Sequence, residues 1–130
     1  MPKNKILYPI KRKYVKRIFD GTKAYEYRKH LCREEVDTIV IYESSGRGMV
    51  VGECKIVDRI CCDPTKLWEK TKELSGMEEK EFFNYFRCCK NACAYVLGDV
   101  NIFLKPKSLK EYGIDFIPQN YVYLKKSYQY

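Results

Sequence analysis

At 130 residues, 45% apolar, 32% charged and 15% aromatic, the chain has the composition of a folded protein with room for one domain rather than two. Twelve tyrosines and six phenylalanines supply the large side chains of a single core, so disorder is expected only at the two ends. The net charge of +8 favours polyanionic partners (RNA, DNA or acidic membrane), and no apolar run approaches the ~18 residues of a membrane span.

The N-terminal stretch MPKNKILYPIKRK holds only five residues between Lys5 and Lys11, too few for a signal-peptide core. A cytoplasmic location is therefore expected, and with it reduced thiols. The seven cysteines, at 32, 54, 61, 62, 88, 89 and 93, are an odd number, which argues against a complete intrachain disulfide set.

In chain order, ILYPI (6–10) reads as a short strand whose proline suggests an edge or end position. KRKYVKRIFDG then sets Tyr14, Val15, Ile18 and Phe19 against Arg12, Lys13, Lys16 and Arg17, the spacing of a helix with one buried and one basic face, and Gly21 closes it. AYEYRK (24–29) alternates as a strand. TIVIYE (38–43) and MVVGECKIV (49–57), joined by SSGRG, read as a hairpin. Asp63-Pro64 predicts an N-cap with proline at the first helical position, followed by Leu67, Trp68, Thr71 and Leu74 on one face. Ser75 with Glu78 predicts a capping box for a second helix that buries Phe82, Phe83, Phe86 and Cys89. ACAYVLG (92–98) and NIFLK (101–105) read as two strands, Ser108 to Gly113 as one helical turn, and IPQNYVYLKK (117–126) as a last strand before a frayed tail, YLKKSYQY. Strands at both ends with helices inserted predict an α+β fold, a small, partly open barrel or curled sheet.

The stretch GTKAYEYR (21–28) carries the functional question. Alternation puts Glu26 and Arg28 on one face with Ala24, and Tyr25 and Tyr27 on the other. Lys23 breaks the alternation; a strand that starts at Ala24 leaves it in the turn after Gly21, free to swing toward Glu26 and Arg28. The local pattern alone fits a solvated ion pair worth about 0–1 kcal/mol as well as it fits a ligand site.

GTKAYEYR matches the G-x-K-x-x-E-x-R signature of the ASCH domain family, within the PUA-like superfamily. A strand ending in proline and a helix precede it. The IYESSGRGMVVGEC hairpin, a helical insertion, AYVLGDV and PQNYVYL follow, so the chain resembles that family over roughly residues 5–124. The resemblance implies a PUA-like β-barrel with helices at its side, and a cleft between barrel and helices facing Lys23, Glu26 and Arg28. It implies binding of RNA or a nucleotide, linked to translation or RNA metabolism; no cofactor is expected. Some small proteins of this kind resemble amidohydrolases acting on acetylated cytidine, with a lysine, a threonine and a more distant glutamate. This chain keeps Lys23 but has Glu26 in place of the threonine, so the proposed nucleophile is missing. Glu69, Glu73, Glu78 and Glu79 are the candidates for the distant glutamate. A hydrolase or ribonuclease role through Lys23 and Glu26 stands as the alternative, and the sequence leaves binding and catalysis both open.

Other residues add smaller expectations. Only Cys89-x3-Cys93 has the spacing of a zinc knuckle, and both cysteines fall on apolar faces, so no metal is expected. His30, the single histidine, reads as a surface imidazole rather than a base. Trp68 reads as core. Tyr42, followed by Ser44 and Ser45, is the better pocket candidate, and the serines suit a phosphate or a base edge. Lys11, Arg12, Lys13, Lys16 and Arg17, beside Lys3 and Lys5, form a basic stripe suited to tracking a nucleic-acid backbone.

Overall fold

Residues 4–124 are described by the computed structural model. In chain order they form β1 (Lys5–Lys11), α1 (Arg12–Phe19), β2 (Tyr25–Arg28), β3 (Thr38–Ser45), β4 (Val50–Cys62), α2 (Pro64–Thr71), α3 (Glu79–Tyr85), β5 (Ala92–Lys107) and β6 (Val122–Tyr123). Short 3₁₀ turns lie at Lys72–Leu74 and Leu109–Tyr112. The strands make one sheet in the order β2-β5-β4-β3-β1-β6. β1 and β3 run parallel, and the other neighbours are antiparallel. The sheet curls into a half-barrel with the three helices alongside, the α+β architecture expected. No helix among the described residues is long and apolar enough to cross a membrane.

Local chemistry explains most boundaries. α1 buries Val15 and Ile18 and leaves Arg12, Lys13 and Lys16 outside. Its first turn is capped from a distance, by the Ser45 hydroxyl accepting the Arg12 N–H at 2.9 Å. α2 begins as predicted: Asp63 accepts from the N–H groups of Thr65 and Lys66, and Pro64 occupies the first turn. Proline in β1 is tolerated for a reason the sequence only half suggests. β1 is an interior strand, but β6 pairs only with Ile6 and Leu7, so Pro9 lies past the end of that neighbour.

Several sequence expectations need correction. The segments 92–98 and 101–105 are one strand, β5, because register shifts against β4 absorb the irregularity at Gly98-Asp99 instead of a turn. Gly98 is there for space: a Cβ would lie 2.6 Å from a Val57 methyl on β4. Ser75 does not cap α3; its hydroxyl bonds both the N–H and the C=O of Met77, and the capping box sits instead at Ser108 and Glu111. The last strand is only Val122–Tyr123, and residues 125–130 of the expected strand end and tail, like Lys3, lie outside the described residues. The thiols are not all free. Cys61 and Cys93 are register partners on β4 and β5, their Cα atoms 4.2 Å apart, and they form a disulfide.

Three apolar clusters hold the sheet. One fills the concave side around Ile6, Tyr8, Ile39, Ile41 and Tyr95. Within it the hydroxyls of Tyr8 and Tyr95 hydrogen-bond at 2.6 Å, and the Cys32 N–H donates to Tyr95 at 2.9 Å, so both buried rings keep their polar ends satisfied. A second cluster, with Leu7, Val40, Tyr42 and Tyr112, covers the opposite face. The third joins β2 and β5 to α2 and α3 through Tyr27, Leu67, Trp68, Phe82 and Phe86; here Trp68 is a core residue, as its spacing predicted. Phe82 is fully buried, with ring centres of Tyr27, Trp68, Phe83 and Phe86 between 4.9 and 5.1 Å away. Truncation of Phe82 to alanine is expected to cost about 3–5 kcal/mol, read as a lower midpoint in urea unfolding; a loss under about 1 kcal/mol would show that the helices add little to the fold.

Candidate functional site

A cavity of about 610 Å³ opens between the half-barrel and α3. Pro9, Ile10 and Lys11 of β1 and Lys13 and Tyr14 of α1 form one wall. Lys23 and the Glu26–Arg28 segment of β2 form another, with Ser44 from β3. Met77, Glu81, Asn84 and Tyr85 face it from α3 and the loop before it, and Ile117, Pro118 and Gln119 complete the mouth. Lys11, Lys13, Lys23 and Arg28 bring four positive charges to the lining, against the carboxylates of Glu26 and Glu81.

Lys23 sits in the turn after Gly21, as the broken alternation predicted, but it is not free to swing. Its N–H donates to the Arg17 carbonyl at 3.0 Å, and the next N–H, of Ala24, donates to the Leu74 carbonyl at 2.8 Å. These bonds press Lys23 against the connection between α2 and α3, leaving 3% of it exposed. Its ammonium donates to the Ser75 carbonyl at 2.9 Å and lies 5.0 Å and 4.7 Å from the ring centres of Tyr14 and Tyr27. Burial pulls its pKa down to about 8, and the carboxylates of Glu26 and Glu81 oppose that fall. Gly76 makes the arrangement possible. Its φ is +67°, and a Cβ there would stand 2.4 Å from the Lys23 Cβ.

Glu26 and Arg28 share the concave face of β2, while Tyr27 turns toward Phe82. Arg28 donates from Nη2 to the Pro9 carbonyl at 2.8 Å, the oxygen left open beyond the end of β6. Its guanidinium lies 4.5 Å from the Tyr8 ring centre, and its Nε stands 3.6 Å from Glu26 Oε1, an ion pair beyond hydrogen-bond reach. Glu26 Oε2 and Arg28 Nε are both buried with no hydrogen-bond partner among the described residues. Buried charged groups left in that state cost free energy, and they concentrate where a protein is built to meet something else.

Glu81 fixes the opposite wall. It accepts from Lys13 Nζ at 2.5 Å and from the Tyr14 hydroxyl at 2.6 Å. The hydrogen bond from Lys13, then that from Tyr14, holds its carboxyl below the usual range. Tyr85, 37% exposed, carries the Lys29 ammonium 5.3 Å from its ring centre.

The other sequence candidates divide. Ser44 lines the cavity; Ser45 does not, being spent on α1. Tyr42 packs in the cluster on the opposite face because β3 alternates, and Ser44, of the same parity, reaches the cavity where the β1–β3 register skips it between Glu43 and Ser45. Of the basic stripe only Lys11 and Lys13 reach the cavity; Arg12 and Lys16 are exposed elsewhere, and Arg17 lines a neighbouring groove. His30 is exposed outside the lining, and so are Glu69, Glu73, Glu78 and Glu79. The glutamate of the helical region that does face the cavity is Glu81. A second stripe on the α3 segment, Met77, Glu81, Asn84 and Tyr85, has helical spacing and was the available signal for it.

Residues 3–125 match the model of a family described as a domain of unknown function, DUF365. The chain belongs to the DUF365 family. The DUF365 chain is also similar to an ASCH protein from Zymomonas mobilis of known crystal structure. The TM-score is 0.85 at 21% identity, covering 94% of this chain and 88% of that one. A serine-to-alanine variant of the same Zymomonas protein superposes with a TM-score of 0.86 over 96% of this chain and 91% of that one, again at 21% identity. The DUF365 domain thus has the ASCH, PUA-like fold that its signature implied. It is also 27% identical over 124 residues to the ATP synthase subunit alpha of Ureaplasma parvum serovar 3, and spans 16% of the length of that curated relative.

Two outcomes test the lysine cradle. Gly76→Ala is expected to lower stability by more than about 1 kcal/mol, because alanine resists positive φ and collides with Lys23; an unchanged unfolding midpoint would remove the cradle argument. The second concerns pH. Folded Lys23 releases its proton near 8 and the unfolded chain near 10.5, so in that window the unfolded state binds more protons and rising pH favours the fold. Wild type should therefore gain stability relative to Lys23→Met between those values, measured by urea unfolding at each pH. A constant difference would place the Lys23 ammonium in water.

Proposed function

We propose that the cavity binds a nucleotide, free or as a unit of RNA, and that Lys23, Glu26 and Arg28 make its floor. One observation carries this reading: three charged side chains converge in one cavity, two of them with buried polar atoms that lack partners. Lys23 supplies an ammonium with one protein acceptor and so keeps donors for an oxygen of the ligand. Glu26 supplies an acceptor for an N–H edge, the half-exposed Tyr85 offers a ring to a base, and Lys11 and Lys13 stand near the mouth for phosphate. The net charge of +8 agrees with a polyanionic partner. A role in RNA metabolism in the cytoplasm is the setting this reading implies.

The test is fluorescence anisotropy with a labelled single-stranded RNA dodecamer. Wild type should bind in a salt-sensitive manner, and Lys23→Met and Arg28→Met should each weaken binding by about tenfold or more. Affinity of the wild type should also fall as pH rises through about 8, where Lys23 loses its charge, and Lys23→Met should lose that step. Absence of salt-sensitive binding, or binding indifferent to both substitutions, would overturn the proposal.

A second reading, a small hydrolase on RNA or a modified nucleoside, is favoured by one observation. An amine whose pKa is pulled to about 8 beside a carboxylate suits proton transfer near neutrality. Turnover of modified cytidines or short RNAs that disappears in both Lys23→Met and Glu26→Gln would support it; turnover surviving both would remove this mechanism.

A further inference from the structure

Beside the cavity runs a second groove, lined by Lys13, Arg17, Glu78, Lys80, Glu81 and Asn84. Three of these, Lys13, Glu81 and Asn84, also line the cavity, so a single ridge of side chains separates the two. We propose that this groove is a phosphate subsite, and that the cavity's occupant is therefore one unit of a phosphodiester-linked strand rather than a free nucleoside. The inference rests on the nucleotide reading above and extends it.

The ridge is held in place from the protein side. Glu81 draws Lys13 and the Tyr14 hydroxyl to one carboxylate oxygen, so Lys13 stands between the two recesses. Half of the Lys13 side chain remains exposed, and an ammonium has three donors, of which Glu81 takes one. Glu81 is neutralised by that pairing and does not repel an anion beside it as a free carboxylate would.

Beyond the ridge the groove holds Arg17 and Lys80. Neither has a carboxylate partner among the described residues. Arg17 is oriented: Nη1 donates to the Gly76 carbonyl at 2.6 Å and the guanidinium lies 5.9 Å from the Tyr14 ring centre. That leaves the remaining N–H groups of a fixed, planar fork, the group best shaped for a phosphate. Glu78 is the one acidic residue in the groove outside the Lys13 pair, so the groove keeps a positive balance. Gly76, whose carbonyl orients Arg17, is the same residue whose missing Cβ admits Lys23. One backbone turn thus sets a cation in each recess, on either side of the ridge.

The experiment compares ligand sizes on the intact chain. Binding of the nucleoside 5′-monophosphates and of mixed-sequence dodecamers, RNA and DNA in parallel, is measured across a salt series for wild type, Lys80→Glu and Lys23→Met. The dodecamer is expected to bind at least about tenfold tighter than any mononucleotide. Lys80→Glu should weaken the dodecamer about tenfold and lower its salt slope by about 1, while mononucleotide affinity stays unchanged. Lys23→Met should weaken both ligands. If mononucleotides bind, depend on Lys23 and are not outbound by the dodecamer, or if Lys80→Glu leaves the dodecamer and its salt slope unaltered, the subsite falls and the nucleotide cavity stands. If neither ligand binds, both fall. Preference for RNA over DNA of the same sequence identifies which polymer the groove serves, and in either case the subsite holds.

Discussion

The site depends on burying one lysine. Lys23 reaches the cavity only because its backbone is bonded to α1 on one side and to the connection between α2 and α3 on the other. Its ammonium is then covered by Ser75, Tyr14 and Tyr27. Removing a charge from water is costly, and here the cost is offset by one carbonyl, two ring faces and the nearby carboxylates. Each compensating group comes from a different element: Tyr14 from α1, Tyr27 from β2, Ser75 from the helical connection. Keeping the lysine there forces three pieces of the chain into one arrangement. That arrangement is also what shapes the cavity, since Tyr14 leads to Glu81 and Tyr27 leads to Phe82.

Arg28 plays the matching part on the strand side. Its anchor is the Pro9 carbonyl, an oxygen available because β6 is too short to cover it. The proline that reads in sequence as a mark of a strand end is therefore also a feature of the site. Between the two cations stands Glu26, paired with Arg28 at long range and attracting Lys23. The triad is electrostatically self-consistent without being saturated, since Glu26 Oε2 and Arg28 Nε have no hydrogen-bond partner among the described residues.

Much of this was legible in advance, for reasons that differ by element. The α1 stripe, the Asp63-Pro64 cap and the alternation of Glu26 and Arg28 rest on local periodicity and local hydrogen bonds, which the sequence carries directly. Register and long-range caps are not local. Nothing near Ser44 tells that the β1–β3 register skips it, so that it reaches the cavity while Tyr42 alternates to the far face, and nothing near Ser45 tells that its hydroxyl serves the Arg12 N–H. Gly98 reads as a turn and is a point of close strand approach; Ser75 reads as a helix cap and instead supplies the carbonyl for Lys23. Cys61 and Cys93 look unrelated until β4 and β5 are set in register. Glu81 lies beside the phenylalanine face of α3, on a stripe whose spacing is equally regular but whose polar residues carry no sign of what they face.

The mixture of signs in the cavity carries a consequence of its own. A purely basic cleft would attract any polyanion, phosphate first, and would hold it at the deepest point where the field is strongest. Glu26 stands in the wall of this cavity among its cations, 6% exposed, with one oxygen unpartnered. A phosphate pushed against it would meet a buried like charge, whereas a neutral edge bearing an N–H would complete its hydrogen bonding. On the nucleotide reading the carboxylate thus orients the ligand, base inward and phosphate outward, where Lys11 and Lys13 line the same cavity. On that reading Glu26 discriminates by charge, the role expected of this position if recognition rather than turnover is the task of the site.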